Sequence, residues 1–257
     1  MSIFSSCDGA PKSLVIVPHL DLHYLPFAAL QNDDGRFLVE DYTLSVTPSA
    51  TILKLSRENN PRRWSYMLLL ADPNGRLPGA RKEVRMIAER APSRRHLLVG
   101  QEAQQATFEK VAEQYDIIHF ATHGNFISRA PWRSHLELYG DELTVEEIGH
   151  MRLEAYLVTL SACETALSSG LTADVPRGDE WVGLNQAFLA AGTPTVLASL
   201  WSIDDRVSST FMSGFYDELG PEGKAVALAR MQRSFIRNAR TSHPFYWAAF
   251  TVFGDPL

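Results

Sequence analysis

Two stretches of this sequence end an apolar run on a side chain able to attack a carbonyl or move a proton. Residues 116–124 read DIIHFATHG and residues 156–165 read YLVTLSACET. His123 and Cys163 thus stand just beyond the ends of two candidate buried strands. In an open parallel sheet, ligands bind beyond the carboxyl ends of the strands. Neighbouring strands lie about 4.8 Å apart, so side chains at adjacent strand ends come within reach of each other. A thiol beside an imidazole is the minimum for thiol nucleophilic catalysis: the imidazole takes the thiol proton and later protonates the leaving amine. Gly124 permits close backbone approach, and its N–H together with that of Cys163 would form an oxyanion hole. Against this stand two structural readings, a Cys acting as a small buried hydrophobe and a His acting as a strand-end hydrogen-bonder. Glu164 adjoins Cys163 and disfavours a resting thiolate, so His123 is expected to activate the thiol during the reaction.

A third apolar run, TVLASL (195–200), leads into Trp201-Ser202-Ile203-Asp204-Asp205. Two carboxylates at the same edge suit a binding pocket. Asp is also a standard helix N-cap, and both roles are met if one Asp caps while the other faces the cleft. Metal chemistry is disfavoured. His119 and His123 are four apart but in or just beyond a strand, where about 3.3 Å per residue leaves them about 13 Å apart. No H-E-x-x-H and no Cys pair occurs. A P-loop, a G-x-S-x-G elbow and a G-x-G-x-x-G loop after the first strand are absent as well. No metal and no cofactor is expected.

The elements that must position these residues follow from periodicity. Leu14–Val17, Tyr66–Ala71, Ile117–Ala121, Tyr156–Leu160 and Thr195–Leu200 are short, nearly continuous apolar runs, as in strands covered on both faces. His96–Val99 is a weaker sixth. Phe37–Glu40 and Tyr42–Thr47 read as a local hairpin or peripheral pair. Helical patterns cover Ala80–Arg90, Ala106–Gln114, Gly183–Ala191, the segment after Asp205 with Val207, Phe211, Phe215 and Leu219 four apart, and Glu222–Arg240. Alternation of this kind predicts an α/β fold, a mostly parallel central sheet with helices on both faces. Ser168–Gly178 (SSGLTADVPRG) is rich in chain breakers and reads as a long mobile loop.

Composition bounds the function. The 257 residues are 45% hydrophobic and 21% charged, values of a folded chain. Two cysteines, Cys7 and Cys163, exclude a disulfide framework and fit a reducing cytosol. The net charge of -6 argues against a nucleic-acid partner, and no apolar run reaches membrane-spanning length. The start, MSIFSSCDGAPKS, lacks the pattern of a secretory leader, so a cytoplasmic location is expected. Residues 1–257 read as one domain with a flexible segment over 1–13. Basic residues cluster over Arg76–Arg95 and along the last helix (Lys224, Arg230, Arg233, Arg237, Arg240), read as solvated faces or a dock for an acidic partner.

The blocks LHYLPFAAL (22–30), FLVEDYTLSVTPSATIL (37–53), LPGARKEV (77–84), HFATHG (119–124), LSACETAL (160–167), QAFLAAGTPTVLASLWSIDD (186–205) and HPFYWAAFTVFGD (243–255) closely resemble the CHAT domain. That is a caspase-like cysteine peptidase domain of the same clan as caspases and separase, often found behind TPR repeats. The resemblance spans roughly residues 14–255, with His123 and Cys163 forty residues apart. It implies a caspase–haemoglobinase fold and a cysteine endopeptidase with His123 and Cys163 as its dyad. It also implies a specific protein substrate, an activating or TPR-containing partner, and a role in bacterial immunity or cell death. By analogy with separase it places an acidic residue, Asp205 before Asp204, where an arginine side chain is received. The family's usual Gly-Glu-Gly stretch is here Gly178-Asp179-Glu180-Trp181. A non-catalytic interaction module and a thiol redox sensor at Cys163 remain as alternatives.

Overall fold

A computed structural model describes residues 12–61, 64–90, 94–125, 127, 130–161 and 179–257, with the side chains of Asp21 and residues 179–182 outside the description. Cys7, Cys163, Gly178 and the expected loop 168–178 lie outside the described residues. In chain order the elements are β1 (Lys12–Ile16), α1 (Leu38–Asp41), β2 (Tyr42–Val46), α2 (Ala50–Glu58), β3 (Tyr66–Ala71), α3 (Pro78–Arg90), β4 (Arg94–Val99), α4 (Gln105–Val111), β5 (Ile117–Ala121), β6 (Gly124–Asn125), β7 (His135–Leu138), β8 (Asp141–Thr144), α5 (Val145–His150), β9 (Leu157–Leu160), α6 (Asp179–Ala190), β10 (Thr195–Ser199), α7 (Asp205–Glu218), α8 (Lys224–Arg237) and β11 (Phe250–Gly254).

The main sheet has eight strands in the order β1-β2-β11-β10-β9-β5-β3-β4. Its ladders are parallel except β10–β11, which is antiparallel. The continuous apolar runs are explained by burial on two faces, since every residue of β5, β9 and β10 is buried. Successive side chains of a strand point to opposite faces. Met67, Leu69, Ile117 and Ala121 therefore join α3, α7 and α8 in one core, around Val84, Phe211, Phe215 and Leu228. Leu68, Leu70, Ile118 and Phe120 face a second core with α4, α5 and α6, around Phe108, Ile148, Leu184 and Phe188. Tyr66–Ala71 and Ile117–Ala121 have the expected bounds, and the mostly parallel α/β sheet is as expected.

The expected pair at 37–47 is corrected. Leu38–Asp41 is a single helical turn, closed by the Glu40 carboxylate accepting the Phe37 N–H at 2.8 Å. Tyr42–Val46 is an inner strand, between β1 and β11. β1 opens at Lys12, inside the segment expected to precede the fold, because Lys12 is in register with Tyr42. β11 escaped the sequence reading: it follows the aromatic cluster 245–247 with no breaker between, and only its pairing with β10 defines it. The last helix begins at Lys224 rather than Glu222, because Gly223 precedes it at φ 99°. Much of the expected basic face is spent internally. Arg81 pairs with Asp72, Arg90 with Asp217, and Arg230 with Glu218 and Glu222. Arg233 donates to the carbonyls of Val39 and Tyr42. Among the described residues no helix is long and apolar enough to cross a membrane.

Candidate active-site cleft

The carboxyl ends of β3, β5, β9 and β10 converge on a cleft of ≈ 320 Å³. It is lined by Arg76 and Leu77 beyond β3, Gly79 and Glu83 on α3, His123 beyond β5, Ser161 beyond β9, and Asp205 and Ser208 on α7. The parallel register places these ends side by side, with Phe120 opposite Leu160 and Ala71 opposite Ala121. His123 and the β9 end that leads to Cys163 thus share one edge of the sheet.

The half-buried His123 is held by a small antiparallel sheet, β6-β7-β8, that grows from the end of β5. Glu137 N–H donates to the His123 carbonyl at 2.8 Å, and the Thr122 hydroxyl donates to the Glu137 carbonyl at 2.7 Å. Gly124 is the next residue along this ladder, opposite Leu136. Hydrogen-bonded and non-hydrogen-bonded pairs alternate in an antiparallel ladder, so the Gly124 N–H is turned away from β7.

The two aspartates separate. Asp204 is the N-cap of α7, its carboxylate accepting the Arg206 N–H at 3.0 Å. Asp205 lines the cleft, exposed, with its carboxylate against Gly79 in the first turn of α3. Leu77 of the cleft lining is held by the buried Asp72, which follows β3 at φ 46°. Its carboxylate accepts the Leu77 N–H at 2.7 Å and pairs with Arg81. Burial pushes this carboxyl up, but the Leu77 N–H and Arg81 outweigh that and hold it below its ordinary value.

Sequence reasoning missed Glu83, Ser161 and Ser208. A signal existed: Glu83 falls on the buried stripe of α3 with Ala80, Val84 and Ile87, where a carboxylate needs partners. His119, weighed as a metal ligand, is fully buried with both ring nitrogens engaged, Nε2 3.0 Å from Glu83 and Nδ1 3.1 Å from the Tyr216 hydroxyl.

The CHAT domain family model matches residues 6–255. The chain belongs to the CHAT family. Curated relatives are tetratricopeptide repeat protein 28 of Mus musculus, 27% identical, and of Homo sapiens, 25% identical. Each match covers 97% of this chain and 12% of the relative, so the CHAT chain spans about an eighth of those proteins. Among solved structures, the Saccharomyces cerevisiae separase–securin complex superposes with a TM-score of 0.62 at 18% identity, covering 91% of this chain and 15% of separase's. Gingipain R, an Arg-specific cysteine proteinase, gives 0.54 at 8% identity, covering 89% of this chain and 57% of that one. The mostly parallel sheet flanked by helices is therefore a caspase-like fold, as the CHAT resemblance implied.

Proposed function

We propose that this CHAT domain is a cysteine endopeptidase in which Cys163 attacks the scissile carbonyl and His123 takes its proton. The observation that carries the reading is the cleft shared by His123 and Ser161, two residues before Cys163 in the chain. His123 would then return the proton to the leaving amine, and water would release the acyl group. Gly124 N–H, turned away from β7, would stabilise the oxyanion together with the N–H of Cys163. Asp205 would receive the residue before the scissile bond, with Arg preferred over Lys because a guanidinium pairs with a carboxylate through two parallel hydrogen bonds. Asp204 would serve only the helix. A TPR-containing partner fits the nature of the curated relatives, and a protein substrate and activator fit the fold.

Arg76 supports a second reading of specificity, since it lines the same cleft and suits an acidic first residue. A peptide-library profile separates the two: cleavage after Arg that is lost in Asp205→Ala supports the first, and cleavage after Asp or Glu that is lost in Arg76→Ala supports the second. The dyad is tested by Cys163→Ala and His123→Ala. Both should abolish cleavage, and a chelator should leave the wild type active. Activity retained in either variant would overturn the mechanism.

A further inference from the structure

Glu83 lines the cleft yet is only 4% exposed, and both its oxygens are engaged. Oε1 lies 3.0 Å from His119 Nε2, and Oε2 accepts the Ser208 hydroxyl at 2.8 Å. Behind them, His119 Nδ1 lies 3.1 Å from the Tyr216 oxygen, and Tyr216 donates its own hydrogen to Thr159 Oγ1 at 2.8 Å. Burial holds the Tyr216 phenol far above its ordinary value, so that hydrogen stays in place.

A hydrogen count follows from these partners. The Tyr216 hydrogen is committed to Thr159, so His119 Nδ1–H is the donor to Tyr216. A hydrogen bond of 3.0 Å joins Nε2 and Oε1. Oε2 stays an acceptor and takes the Ser208 hydrogen. The Ser208 oxygen then accepts from Ser161, whose Oγ is 3.3 Å away. Both serine hydrogens therefore run inward towards Glu83, and the remaining lone pairs are left for the cleft, which Ser161 and Ser208 line.

We propose that Glu83 is a specificity-setting residue: by fixing the direction of the Ser208 and Ser161 hydroxyls it makes the floor of the cleft a hydrogen-bond acceptor, selecting a side chain rich in N–H donors, a guanidinium above all. It acts through the serines, so it is a positioning residue rather than a contact. This deepens the first-subsite reading above and rests on it only for the identity of the substrate. It also weighs against an acidic first residue, whose carboxylate would meet lone pairs with lone pairs.

Direct binding tests this, measured on the Cys163→Ala chain and on further variants made in it, so that the ligand amide is not cleaved. N-acetyl-arginine methylamide and N-acetyl-citrulline methylamide match in length, but citrulline carries a carbonyl oxygen where arginine has an N–H donor. Their dissociation constants for the full chain should favour arginine by at least about tenfold. In Glu83→Gln the side-chain amide can donate to Ser208 and reverse the serine chain, so the ratio should fall at least about fivefold. Ser208→Ala breaks the same relay with a smaller perturbation and should lower the ratio likewise. Asp205→Asn lowers affinity for arginine through its own charge, and adding Glu83→Gln in that background should lower the ratio further. A ratio unchanged in folded Glu83→Gln, or unchanged in Ser208→Ala, overturns the proposal. Selective arginine binding without cleavage of any peptide would instead overturn the peptidase reading and leave this one standing. Cleavage without preference for arginine over citrulline does the reverse.

Discussion

The Asp205 carboxylate in the first turn of α7 lies against the Cα of Gly79 in the first turn of α3, so close that a methyl group at residue 79 would overlap it. Alanine is intrinsically better than glycine in a helix, but the Asp205 Cβ, fixed to α7, overlaps that methyl position as the carboxylate does, so Gly79→Ala should push α3 and α7 apart and carry the carboxylate with them. On the proposed mechanism this variant should cut kcat/KM for arginyl peptides at least tenfold, and the forced shift of α3 against α7 should lower the melting temperature as well. A rate within twofold of wild type would show that Asp205 does not set the pocket.

α7 is also tied to the sheet by an aromatic cluster. Phe211 is fully buried, stacked on Phe250 at 4.2 Å between centroids and edge-on to Phe235 at 5.0 Å. Phe211→Ala should destabilise the fold by about 3–5 kcal/mol, the transfer term plus the cavity left behind. Urea unfolding followed by tryptophan fluorescence checks this, and a loss below about 1 kcal/mol would mean that α7 repacks.

Acid sensitivity should trace in part to Asp72. Its folded carboxyl lies below its ordinary value, because Leu77 N–H and Arg81 outweigh burial. The native state therefore binds this proton less readily than the unfolded chain does. The contribution is complete above the unfolded value near pH 3.9 and drains away as pH falls through the lower folded value. Asn tolerates the positive φ at this residue, so Asp72→Asn isolates the charge. It should cost about 1–2 kcal/mol at pH 7, discounted for the solvent around Arg81. The gap from wild type should close below about pH 4, and thermal melts of the two proteins from pH 7 to pH 2 measure it.

The hairpin that braces His123 ends in a capping box. Thr144 Oγ1 accepts the Glu147 N–H at 3.2 Å, and Glu147 accepts the Thr144 N–H at 2.8 Å. Burial raises the Glu147 carboxyl, and the Thr144 hydroxyl and N–H with Gln105 outweigh it, leaving it lowered. Thr144→Ala should cost about 1 kcal/mol, and Thr144→Ser should restore most of it. Chemical denaturation of the three proteins decides this, and equal midpoints for Thr144→Ala and wild type would remove the cap from the account.

The caspase-like sheet was legible in the sequence because its inner strands are buried on both faces. Tyr66–Ala71 and Ile117–Ala121 carry that signature without interruption. The HFATHG block marks His123 by type and by its place beyond a strand, and the split between Asp204 as cap and Asp205 in the cleft was foreseen as one of two compatible roles. Local pattern failed where pairing partners are distant. Tyr42–Val46 gives no sign that it lies between β1 and β11, and Phe250–Gly254 becomes a strand only beside Thr195–Ser199. Glu83 and Ser208 are 125 residues apart, yet they share a hydrogen bond under the cleft. The sequence by itself determined which residue types stand at which strand ends, because burial periodicity and short motifs are local. Only the tertiary structure decided which of those ends meet, and that a buried glutamate hydrogen-bonds a serine of the cleft between them, because such contacts depend on sheet order and helix packing that no local pattern encodes.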